Sequence, residues 1–160
     1  MKQESTTGFA VSLRAEFEAF QEFHHILQQE QAALIAGDID RLLQLAPGKT
    51  GLIEKLSAFS AERDRHLAAA GHENTPAGLA AWFNAVGMDD ETRELWNQLL
   101  NLAREAEQAN RRNGILIETH LRHNQQALAV LQTAANPSNS LYGPNGQISG
   151  ISSGRPRGKV

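Results

Sequence analysis

Two histidines three residues apart, His120 and His123, and one Glu-x-x-His set, Glu22 with His25, come nearest in type and spacing to metal chemistry. On a helix such pairs share a face and present two ligands together. A carboxylate-bridged metal bundle needs two Glu-x-x-His motifs and two further inward glutamates, and the chain has a single copy. A phosphate-accepting His24 or His25 would need a small neighbour and a cation, where the chain places Phe23 and Ile26. The Gly-Lys-Thr of "APGKTG" lacks the leading glycine of a phosphate loop, whose place Leu43 takes. Without cysteine, thiolate catalysis, thiolate metal sites and disulfides drop out together. No nucleophile elbow or triad assembles either. The expectation is a protein with no catalytic residue, cofactor or metal.

Helices must position whatever remains. Phe9, Leu13, Phe17, Phe20, His24, Leu27, Gln31 and Leu34 advance by threes and fours, the period of an amphipathic helix. Phe9, Phe17, Phe20 and Phe23 read as core rather than as a ligand box. "AGDID" then supplies Gly37 for a helix C′ position and Asp38 for an N-cap, so the chain turns tightly into an antiparallel neighbour. A second stripe, Ile39, Leu42, Ala46, Lys49, Ile53, Leu56, Ser60, Arg63 and Leu67, crosses Pro47, Gly48 and Gly51, where a kink or short break is expected. Thr75 and Pro76 open a short connector helix that shows Trp82, Phe83 and Val86 on one side and stops at Gly87. The last helix starts at Asp89 or Asp90 and runs to about Ala135, roughly 70 Å at about 1.5 Å per residue.

Its first half carries a core stripe of Leu95, Leu99, Leu102, Ala106 and Ala109. In the second half Leu116, Ile117, Leu121, Ala127, Leu128, Val130 and Leu131 spread over about half the circumference, wider than a seam between two neighbours requires. Self-association, burial under the connector or a partner helix would each use that arc. Beyond it, residues 137–160 hold five glycines, five serines, three prolines, Arg155, Arg157 and Lys159, and no acid. Such a composition cannot bury enough apolar surface to offset ordering entropy. One helical domain, 1–136, and a flexible basic tail, 137–160, are expected. The net charge of −3 and pI near 6.1 create no field that attracts nucleic acid. No apolar run reaches a membrane span or a secretory signal, so the reading is soluble and cytoplasmic.

"GDIDRLLQL", then "NRRNGILIETHLRHNQQALAVLQ", then "SLYGPNGQ" and a short basic end resemble, in that order, the flagellar export chaperones of the FlgN family. The resemblance implies a cytoplasmic type III export chaperone that binds hook-filament junction proteins and brings them to the cytoplasmic domain of the flagellar export gate. It implies cargo recognition in the C-terminal portion, at Leu116, Ile117, Leu121, Asn124, Leu128 and Leu131, and a gate contact at Tyr142, the single tyrosine. Where relatives continue the second helix with an acidic run, this chain has "PGKTG". The fold expected is all-α: an antiparallel up-and-down bundle of three long helices plus a short connector helix. A non-catalytic coiled-coil adaptor, using the same apolar face to homodimerise, is the alternative.

Overall fold

The structure, a computed structural model, describes residues 2–135, in which all regular secondary structure is helical: α1 (Lys2–Ala36), α2 (Ile39–Ala69), α3 (Pro76–Val86) and α4 (Asp90–Ala135). The chain divides into two compact units, Met1–Ile117 and Glu118–Val160. In the second, residues 118–135 are described, so the expected tail and Tyr142 lie outside the described residues.

Local chemistry sets the ends of the helices. α1 closes through a left-handed Gly37 (φ 68°), with the Asp38 N–H donating to the Ala33 carbonyl at 2.9 Å and the Gly37 N–H to Leu34 at 3.3 Å. Asp38 then caps α2 by accepting from the Arg41 N–H at 3.0 Å. Thr75 caps α3 ahead of Pro76, and left-handed Gly87 ends it. Asp89 accepts from the Thr92 N–H at 2.8 Å and from its hydroxyl at 2.9 Å at the start of α4. These bonds, the backbone one first, hold the Asp89 carboxyl below the usual carboxylate value. A depressed acid contributes its stability above its unfolded pKa and loses it as pH falls through the lowered one. The cap is therefore intact at neutral pH and weakens only in strong acid.

Two apolar clusters fill the first unit. At one end Phe9, Leu13, Leu67, Trp82, Phe83 and Leu99 meet, so α3 closes that end of the bundle. Further along, Ala19, Phe23, Leu27, Leu52, Ala106 and Ala109 pack together, small alanines set beside larger side chains. Two charge pairs tie α1 to α2: Glu16 with Arg63, and Glu30 with Lys49. Residue numbers rise along α1 while they fall along α2, so the two helices are antiparallel. The spacing is fourteen residues on both, which keeps one register along the hairpin.

The short break expected in α2 is absent, and the expected stripe on that helix is corrected in part. α2 is unbroken through Pro47, Gly48 and Gly51. Pro47 and Leu43, the residue whose carbonyl loses its donor, are both exposed, so water can satisfy that carbonyl while Leu45 and Leu52 stay buried on either side. The stripe on α2 is also displaced. Ile39, Ala46, Ile53 and Ser60 face solvent, and the buried line runs through Leu45, Leu52 and Leu67 with Leu42, Lys49, Leu56 and Arg63 half-buried beside it.

Candidate partner-binding surface

The buried stripe of α4 passes through Leu99, Ala106 and Ala109 and ends on a polar residue, Asn113, which is 1% exposed. Its carboxamide Nδ2 donates to the Leu27 carbonyl at 2.8 Å and to Glu30 Oε1 at 2.9 Å. Glu30 in turn accepts from Lys49 Nζ at 3.0 Å through both oxygens. Both neighbours of Nδ2 are acceptors, which fixes the orientation of the amide and leaves Oδ1 buried without a protein partner. The sequence set Lys49 on the α2 stripe but offered little sign of its partners, because a lone Glu or Asn reads as solvent-facing until its partners on other helices are known.

Of the six residues expected to bind cargo, Leu116 is half-buried and Ile117 is exposed, both in the first unit. Leu121, Asn124, Leu128 and Leu131 belong to the second unit, where every residue from 118 to 135 is exposed. At about 100° per residue, Leu121, Asn124, Leu128 and Leu131 lie within about 80° of one another, one ridge of three aliphatics around an amide. Their spacing of three, four and three residues is a heptad seam. Leu121, Leu128 and Leu131 are 56%, 58% and 63% exposed, an unusual state for leucines so regularly placed. Glu118 and Arg122, paired at 3.1 Å, lie off the ridge.

Elsewhere, a cleft of about 220 Å³ lies between α1 and α2, lined in part by Ser5, Phe9, Glu16, Arg63 and His66. Its two least exposed charges, Glu16 and Arg63, are matched to each other. Arg63 pairs with Glu16, donates to Asn74 Oδ1 at 3.3 Å and lies over the Trp96 ring. The Ser5 hydroxyl and His66 Nε2 are 3.2 Å apart, a pairing not anticipated from sequence, with the His66 ring edge-on to Trp82. Among the described residues no group of three or more His, Cys, Asp or Glu is placed to hold a metal. Nor, among them, is any helix long and apolar enough to cross a membrane.

The first unit is thus a closed helical bundle, and the second presents an amphipathic helix whose apolar side is open. The family described as "FlgN protein" matches residues 1–150. A "Flagella synthesis protein FlgN" from Proteus mirabilis is 33% identical over 128 residues, covering 76% of this chain and 77% of that protein. A protein of the same description from Yersinia enterocolitica is 46% identical over 59 residues, 37% of this chain and 39% of that protein. The chain belongs to the FlgN family. No solved structure matches it.

Proposed function

We propose that the chain is a flagellar export chaperone that binds hook-filament junction proteins in the cytoplasm through the ridge on α4 and hands them to the export gate, where Tyr142 supplies the contact. Family membership, and relatives named for flagella synthesis, support a role in flagellar assembly. The observation that carries the binding reading is the ridge itself: Leu121, Leu128 and Leu131, exposed and in heptad spacing. An amphipathic cargo helix laid along it would bury each leucine for about 1.5–3 kcal/mol before ordering is subtracted. Three such anchors suit a reversible complex, tight enough to protect an export substrate and loose enough to release it. No catalytic step is invoked.

Calorimetric titration of the full chain with the junction proteins tests this. Leu121→Asp and Leu128→Asp should each weaken binding about tenfold or more, while circular dichroism stays helical. Unchanged affinity in both variants would remove the ridge from consideration. The heptad spacing equally fits homodimerisation, the second reading. A tight dimer that persists in sedimentation at saturating cargo would favour it.

A further inference from the structure

The cleft between α1 and α2 takes no part in the partner binding proposed above, yet it has the makings of a site. Phe9 and Leu13 from α1 and Phe59 from α2 form its apolar wall, with Glu16 beside them. Glu16 is 4% exposed, and only its Oε2 is bonded, to Arg63. Asn113 Oδ1 is the one fully buried side-chain atom without a partner among the described residues, so Oε1 of Glu16, which has none either, keeps access to solvent through the cleft. Two more carboxylates, Glu4 and Glu62, stand exposed at its lip, and neither forms an ion pair among the described residues. Three carboxylates therefore face one guanidinium, that of Arg63, which Glu16, Asn74 and the Trp96 ring already engage. Negative charge is left over beside an apolar, partly aromatic wall.

Gly8 is a separate indication. It lies inside α1, where glycine is disfavoured relative to alanine, and a Cβ built there would meet nothing within 4 Å. Packing does not demand a glycine at this position. Its effect is to keep the cleft open, because Gly8 lines it.

We infer that the cleft binds an organic cation on an apolar stem, an ammonium or guanidinium that donates to Glu16 Oε1 while its stem lies against Phe9, Leu13 and Phe59. A cavity of about 150 Å³ accommodates benzene, so about 220 Å³ suits a ring or an aliphatic chain with a short charged arm. Aromatic faces attract a cation, and a carboxylate withdrawn from bulk water bonds one more strongly than an exposed carboxylate does. An anion would meet Glu4, Glu16 and Glu62 with the one guanidinium already taken. A free amine and the end of a lysine or arginine side chain share the required chemistry.

The test follows backbone amide shifts of the full chain by nuclear magnetic resonance during titration with phenethylammonium, with uncharged phenethyl alcohol, and with the dipeptide acetyl-Leu-Lys-amide. Phenethylammonium should shift amides of residues 4–16 and 59–66 saturably and bind about tenfold more tightly than the alcohol. Glu62→Gln, which removes an exposed charge that holds nothing in the fold, should reduce that preference about threefold. Gly8→Leu should fill the cleft and abolish binding without lowering Tm, because leucine favours the helix. Leu121→Asp, in the other unit, should leave amine binding unchanged, so failure here and failure of the ridge are separable. Tighter binding of the dipeptide than of the amine would mark a protein segment as the source of the cation; the reverse order would mark a small molecule. Equal affinity for the alcohol and the ammonium would reduce the cleft to an apolar crevice and overturn the inference. Absence of binding by both cations, or binding that survives Gly8→Leu, would overturn it too.

Discussion

Asn113 joins three helices through one amide, taking the Leu27 carbonyl and Glu30 from α1 while Glu30 holds Lys49 on α2. Removing it takes one donor from the Leu27 carbonyl and leaves Glu30 Oε1 with Lys49 alone. Asn113→Ala should therefore lower stability by about 1–3 kcal/mol, read as a lower urea midpoint with an unchanged slope. An unchanged midpoint would mean that water replaces the amide at no loss. This part of the molecule was poorly legible in the sequence. Glu16 and Glu30 are 4% and 8% exposed, yet charged residues on a helix are ordinarily assigned to solvent. What reverses that assignment is a cation 47 or 19 residues away in the chain, brought near only by folding. Leu13, Leu27 and Leu99, by contrast, were readable as core because their spacing and their chemistry agree.

At the scale of elements, end signals were the most legible, since each is a local bargain between a few backbone groups. Gly37, Asp38, Thr75 and Gly87 all sit where their conformational preferences placed them. α2 shows why a local signal can also mislead. Proline in a helix interior is disfavoured by about 3 kcal/mol relative to alanine, which argues for a break at Pro47. A break would separate Leu45 from Leu52 and displace Lys49 from Glu30, so tertiary packing and the ion pair together outweigh the propensity. Because Pro47 is exposed and unneeded for those contacts, Pro47→Ala should raise stability by about 1–3 kcal/mol, or several degrees in Tm. A lower Tm would show that Pro47 itself helps to hold Lys49 against Glu30. The displaced stripe on α2 has a related cause: Ile39 and Ile53 suggested one face by hydrophobicity, while Leu45 and Leu52, which pack in the core, lie on another.

At the scale of the whole molecule, the two units follow different physical logic, and this predicts what happens when they are separated. The first unit, Met1–Ile117, contains both apolar clusters, both interhelical charge pairs and the Asn113 network, so it has what a stable bundle requires. A chain ending at Ile117 should remain helical and unfold cooperatively near the urea midpoint of the full protein. A chain ending at Ala109 should not, because it strips Glu30 and the Leu27 carbonyl of Asn113. The 1–117 chain should also fail to bind the junction proteins, since Leu121, Leu128 and Leu131 are gone while the bundle is intact. The complementary change leaves the ridge and alters the proposed gate contact: Tyr142→Ala in the full chain should keep cargo affinity within about twofold, a surface-sized effect, while delivery to the gate is impaired in an export assay. Cargo binding by the folded 1–117 chain would move the site into the bundle. Loss of cargo binding in Tyr142→Ala would place the tyrosine in the cargo site itself and end the division between binding and delivery.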